Sequence, residues 1–125
     1  MSSNKFLGLR TVIYNVENIE KATKWYAKAL DQNPYFDEPF YVGFNVSGYE
    51  LGLQPIESED FNRGNNEVVY WGVKDIHKSF NRLVDLGAKP NNQPENVGGE
   101  IMVASVKDPW GNILGIIYNP EFKAE

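Results

Sequence analysis

The sequence predicts an α+β fold assembled from two tandem copies of one strand–helix–strands unit. Three observations predict it. Strand-like and helix-like hydrophobic periods occur in the same order in both halves. The segment Val16-Glu17-Asn18-Ile19 matches Val73-Lys74-Asp75-Ile76 at an offset of 57. Between the copies, residues 57–66 form a polar stretch containing Gly64 and three asparagines, the composition of a linker.

In the first copy, residues 9–16 are rich in β-branched and aromatic side chains and read as a strand. Val12, Tyr14 and Val16 share one face; Thr11, Ile13 and Asn15 share the other. Glu17-Asn18 breaks the strand, and the side-chain oxygen of Asn18 can accept a bond from a free helical N–H. Ile19, Ala22, Tyr26, Ala29 and Leu30 then form one stripe of a helix over 19–30. Asp31-Gln32-Asn33-Pro34 ends that helix, because the residue before proline is driven out of helical geometry. Residues 41–46 and 49–54 read as two strands joined by a Ser47-Gly48 turn. Residues 35–40 fit either a short strand or a loop.

The second copy opens with a strand over 68–73. Asp75 caps a helix whose stripe is Ile76, Ser79, Phe80 and Leu83, and Gly87 stops it by entering the left-handed region at little cost. Residues 89–99, with Pro90 and Pro94, read as a loop. A strand over 100–107, a turn at Asp108-Pro109-Trp110-Gly111-Asn112 and a last strand over 113–118 complete the unit. Leu51-Gly52-Leu53 matches Leu114-Gly115-Ile116 at an offset of 63, so the second copy holds a longer loop.

Composition narrows the function classes. A chain of 125 residues fits one domain. Without cysteine it has no disulfides, thiolate metal sites or cysteine nucleophiles, and a cytoplasmic location is expected. A net charge of −5 repels phosphate backbones, so no nucleic-acid partner is expected, and a cationic ligand would be attracted. No apolar run approaches the ~20 residues of a membrane helix, and the first five residues lead into no signal-peptide core, so no membrane partner is expected either.

Three segments resemble the vicinal oxygen chelate superfamily of glyoxalases, bleomycin and fosfomycin resistance proteins and extradiol dioxygenases. Val16-Glu17-Asn18-Ile19-Glu20-Lys21-Ala22, continuing to Trp25-Tyr26, is similar to that family's entry into its first helix. Val73-Lys74-Asp75-Ile76, followed by Leu83 and Leu86-Gly87-Ala88, repeats it. Asp108-Pro109-Trp110-Gly111-Asn112 is similar to the family's turn before its final strand. The resemblance implies a single domain over 1–125: module one at about 7–56, a linker at 57–66 and module two at about 67–119. It implies two βαβββ modules, sheets curled around a concave cleft, helices outside, and a homodimer. The face toward the cleft would hold Thr11, Ile13, Glu50, Gly52, Gln54, Val68, Tyr70, Ile113, Gly115 and Ile117.

Metal-using members of the family hold a divalent ion with His, Gln or Glu at four strand positions. The resemblance carries those positions onto Thr11, Gly52, Val68 and Gly115. Valine and glycine offer no donor and a lone threonine hydroxyl is a poor one, so no metal and no cofactor are expected. His77, the single histidine, falls in the first turn of a helix off its apolar stripe and reads as a solvated residue. One histidine there builds no Ser-His-Asp set, and no phosphate-cradling glycine loop occurs; no catalytic residue is assigned. Aromatic content is the positive signal: Tyr35, Phe36, Phe40, Tyr41, Phe61, Tyr70 and Trp110 fall in loops or on the cleft face, where rings bind flat or cationic groups. Gly52 and Gly115 would let a ligand approach the sheet closely.

The expected function is therefore metal-free binding of a small organic ligand, aromatic or cationic. The candidate ligand residues are Thr11, Ile13, Phe40, Glu50, Gly52, Gln54, Val68, Tyr70, Trp110 and Gly115. Two alternatives stand beside it: a metal-dependent lyase or dioxygenase whose metal site has moved, using Glu50 or Glu100, and a dimeric accessory module.

Overall fold

The structure, a computed structural model, describes residues 9–56 and 69–120. The predicted linker, Phe61 and Val68 lie outside the described residues. The chain divides into two compact units, Met1–Pro55 and Ile56–Glu125.

The first unit runs β1 (Thr11–Val16), α1 (Ile19–Leu30), β2 (Phe36–Glu38), β3 (Tyr41–Val46) and β4 (Tyr49–Pro55). Its four strands form one mixed sheet in the order β1-β4-β3-β2. β1 lies parallel to β4, which a helical crossover permits, and the others pair antiparallel. α1 begins where expected: Asn18 is extended (φ −132) and its Oδ1 accepts from the Lys21 N–H at 3.0 Å. It ends at Asp31, whose left-handed backbone (φ 56) lets its N–H reach the carbonyls of Ala27 and Lys28. Tyr14, Val16, Ala22, Tyr26, Val42, Phe44, Leu51 and Leu53 are buried between α1 and the sheet. Full burial of each large side chain there contributes about 1.5–3 kcal/mol.

The second unit repeats the pattern with β5 (Tyr70–Gly72), α2 (Ile76–Asp85), β6 (Lys89–Gly98), β7 (Ile101–Lys107) and β8 (Ile113–Tyr118), in the sheet order β5-β8-β7-β6. Asp75 caps α2 by accepting from the Lys78 N–H at 3.1 Å, and Gly87 leaves the helix with φ 111. Ile76, Phe80, Leu83, Ala88, Ala104, Val106, Leu114 and Ile116 form its core. The repeat extends to register: Ile13 pairs with Gly52 in the first sheet, and Tyr70 pairs with Gly115 in the second, at the sequence offsets of 57 and 63.

One expectation is corrected. Residues 89–99 are not a loop, because β6 occupies Lys89–Gly98 and pairs with β7. Pro90 and Pro94 suggested a break. They are tolerated because β6 is an edge strand and its pairing shifts register three times, so missing N–H groups cost nothing to the ladder. With β6 in place each unit is a βαβββ module.

Candidate functional site

In the first module, strand alternation and register gather one polar face. Thr11 pairs with Glu50, Ile13 with Gly52 and Asn15 with Gln54, so these side chains form two adjacent rows opposite the α1 side. β3 continues the face with Gly43 against Gly52 and Asn45 against Glu50, and Tyr41 shares their parity.

Two tyrosine rings occupy the space that glycines leave on this face. A Cβ on Gly52 would lie 2.1 Å from the Tyr41 Oη and 2.7 Å from its Cζ. A Cβ on Gly43 would lie 3.2 Å from the Tyr35 Cε1. The room above Gly52 is thus filled by the protein's own ring rather than left for close approach of a ligand. From these seats both hydroxyls converge on one carboxylate: Tyr35 Oη–H donates to Glu50 Oε1, and Tyr41 Oη–H donates to Glu50 Oε2. The hydrogen bond to Glu50 raises the Tyr35 pKa above its ordinary 10.0. Partial burial, then the bond to Glu50, raises that of Tyr41 further. Both phenols are therefore neutral at physiological pH.

A solvent-open pocket of about 240 Å³ adjoins this cluster, lined by Arg10, Thr11, Tyr35, Asn45, Tyr49 and Glu50 among others. Of its lining, Tyr35 is 64% exposed; Phe40, 65% exposed, lies beyond Phe36 on the Tyr41 side. The Phe40 ring meets Phe36 edge-on at 6.1 Å, and Phe36 lies 6.2 Å from Tyr41.

The second module pairs its own residues in the same manner. A Cβ on Gly115 would lie 2.8 Å from the Tyr70 Cδ1 and 2.5 Å from the Val69 carbonyl oxygen. Tyr70 is exposed on that face. Trp110 is half-buried in the turn before β8. That turn is organised by buried Asp108, whose Oδ1 accepts from the N–H groups of Trp110 and Asn112 at 2.9 and 2.8 Å. His77 and Glu100 are exposed.

Of the sequence-predicted residues, Thr11, Ile13, Glu50, Gly52 and Gln54 share one sheet face, and Phe40 joins them through Phe36 and Tyr41. Tyr70 and Gly115 meet in the second module, and Val68 lies outside the described residues. Tyr35 and Tyr41 were noted only as aromatics; their role as donors to Glu50 spans 15 and 9 residues of sequence. Tyr41 shares the parity of Gly43, which lies opposite Gly52, and that parity was a signal that could have revealed it.

The profile of the Glyoxalase/Bleomycin resistance protein/Dioxygenase superfamily matches residues 8–116. The chain belongs to that superfamily, and its two βαβββ modules are the superfamily's α+β architecture. A glyoxalase-related enzyme from Fulvimarina pelagi superposes with a TM-score of 0.78 at 16% identity, covering 96% of this chain and 94% of its own. A family enzyme from Burkholderia phytofirmans gives 0.74 at 15% identity, covering 86% and 95%. A fosfomycin resistance protein from Listeria monocytogenes, solved with Mn(II) and 1S,2S-dihydroxypropylphosphonic acid, gives 0.72 at 13% identity, covering 90% of each chain. At such identities these likenesses establish the fold alone. No curated protein matches the chain.

The residues present do not fit the divalent ion that many superfamily members use. Gly52 and Gly115 carry no donor, and the space a ligating side chain would need is taken by the rings of Tyr41 and Tyr70. Among the described residues, no three His, Cys, Asp or Glu side chains stand together as a metal-holding group. No helix among them is long and apolar enough to cross a membrane.

Proposed function

We propose that this protein binds a small organic ligand without a metal ion, taking a cationic or aromatic group on the Glu50 face of its first module. One observation carries the reading: a half-buried carboxylate is held by two neutral phenols beside exposed aromatic rings. A carboxylate so placed has lone pairs left to accept from a ligand, which suits an ammonium or amidinium group. The rings of Tyr35 and Phe40 add stacking or cation–π attraction, about 0.5–2 kcal/mol each. Thr11, Ile13 and Gln54 complete the proposed surface. Tyr70 and Trp110 are the corresponding proposed contacts of the second module; Gly115, expected to let a ligand approach, is covered by the Tyr70 ring instead. A homodimer in solution is part of the proposal, two-fold dimers being the commonest oligomers.

A thermal-shift screen of amines and flat aromatics tests the reading, since any molecule that binds the folded state raises the melting temperature. Amine hits are expected, and Glu50→Gln should abolish them while Tyr41→Phe weakens them. Hits indifferent to both substitutions place the ligand elsewhere. Metal analysis of the purified chain should find no stoichiometric Zn, Ni, Mn or Fe; a full equivalent lost on Glu50→Gln favours the metal-dependent alternative instead.

A further inference from the structure

Register sets a short polar row beside the tyrosine cluster. Thr11 on β1 pairs with Glu50 on β4, and Asn45 on β3 pairs with the same Glu50 from the other side. Paired side chains point to one face of a sheet and neighbouring strands stand about 4.8 Å apart, so Thr11 and Asn45 flank Glu50 at that spacing. All three line the solvent-open pocket of about 240 Å³, with the exposed ring of Tyr35 beside them. Arg10 also borders the space, but alternation turns it opposite to Thr11 and its Nη1 donates to the Leu9 carbonyl, so it stands outside this row.

The hydrogen bonds already made define what the row has left to offer. The two phenols draw the Glu50 side chain over Gly43, its Cδ lying 3.4 Å from where a Gly43 Cβ would stand. The carboxylate retains lone pairs for a further donor. Asn45 turns its Oδ1 to the Gly48 N–H at 2.8 Å, which leaves the amide nitrogen as its unused end. Neither that nitrogen nor the Thr11 hydroxyl has a hydrogen-bond partner among the described residues.

A bare alkylammonium would use the centre of this row and leave both flanks to water. A neutral polyol would use the flanks and place only a weak donor on the carboxylate, which favours a charged one. A small amine with hydroxyl groups on its adjacent carbons uses all three positions.

We propose that this pocket takes a small amino alcohol, its ammonium on Glu50 and its hydroxyl groups on Thr11 and Asn45. The proposal rests on reading the Glu50 face as a cation site, and it adds the neutral polar half of the ligand and the two residues that receive it.

NMR titration of the isotope-labelled full chain tests it with three probes: serinol, its hydroxyl-free analogue isopropylamine, and glycerol, which exchanges the amine for a third hydroxyl. Serinol is expected to bind about tenfold tighter than isopropylamine, the difference two neutral hydrogen bonds make, and about tenfold or more tighter than glycerol. Thr11→Val removes a hydroxyl at an exposed position with little change of shape; it should weaken serinol about threefold and leave isopropylamine unchanged. Asn45→Ala should do the same. It also frees the Gly48 N–H, so its melting temperature is measured, and Thr11→Val decides the question if the turn is disturbed. Isopropylamine binding as tightly as serinol, with both variants indifferent, overturns the amino alcohol and leaves the cation site standing. Glycerol binding as tightly as serinol overturns the ammonium on Glu50 and the proposal with it. Absence of serinol-induced shifts at Thr11, Asn45 and Glu50 overturns the amino alcohol, while the wider amine and aromatic screen independently decides the Glu50 face.

Discussion

The ring of Tyr41 rests on Gly52, in the space where any other residue would hold its own Cβ. Tyr70 covers Gly115 one module later, but from the parallel neighbour β5 rather than an antiparallel one, and the Val69 carbonyl stands 2.5 Å from the missing Cβ as well. The two glycines therefore respond differently to substitution. In Gly52→Ala the displaced atoms are the far end of a flexible side chain. Tyr41 should swing aside, at the loss of its bond to Glu50 and about 1 kcal/mol. In Gly115→Ala the backbone itself must move, and the cost should reach about 1–3 kcal/mol. Urea denaturation of both variants measures the difference, and equal losses would contradict the packing described.

Alkaline pH should weaken the first module. The Tyr35 and Tyr41 pKa values are raised in the folded chain, Tyr35 chiefly by its bond to Glu50 and Tyr41 chiefly by burial. Above the ordinary phenol value of 10.0 the unfolded chain releases these protons while the folded chain retains them. The stability they contribute is thus complete below that pH and is lost as pH rises toward the folded values. Denaturation midpoints measured on either side of that pH should fall less in Tyr41→Phe than in the parent. Phenolate absorbance compared between the parent and Tyr41→Phe should show Tyr41 ionising above the ordinary phenol value.

Helix starts offer a third check. Asn18 and Asp75 each satisfy one free N–H, at 3.0 and 3.1 Å. Replacing either with alanine should cost about 1 kcal/mol, whereas glycine should cost only a few tenths. Similar losses at both caps are expected because the two helices begin in the same way; circular dichroism during thermal unfolding provides the measurement.

Asp108 is expected to matter more than its place in a turn suggests. It is 3% exposed and receives the Trp110 and Asn112 N–H groups together with the Asn112 side-chain amide. Asp108→Ala removes the acceptor for all three and should cost about 2–3 kcal/mol. His77→Ala, on an exposed helix face, should stay within about 0.5 kcal/mol. Equilibrium unfolding of the two variants side by side tests the contrast.

What was legible in advance follows from the range over which each feature is encoded. Helix α1 was read with its observed bounds because its stripe, its Asn18 cap and its Asp31 exit lie within one short segment. The alternation of Thr11 to Val16 also predicted the burial of Tyr14 and Val16, whereas Val12 on the same face is only half-buried. Strand β6 was missed because Pro90 and Pro94 are local breakers, and only its edge position, set by partners distant in sequence, makes them harmless. The convergence of Tyr35 and Tyr41 on Glu50 was hidden for a related reason. It depends on the β3–β4 register, which single-residue chemistry does not express. That Gly52 and Gly115 carry no donor was legible, but the rings that cover these two glycines were not.

Those rings make a glycine and an aromatic into one packed unit in each module, reached from different neighbouring strands. Swapping Gly52 or Gly115 for glutamate would not by itself create an ion-binding corner, because the newcomer would collide with a tyrosine already in residence. Any engineering of such chemistry must shrink the tyrosine before it enlarges the glycine. In the second module it must also reshape the main chain at Val69.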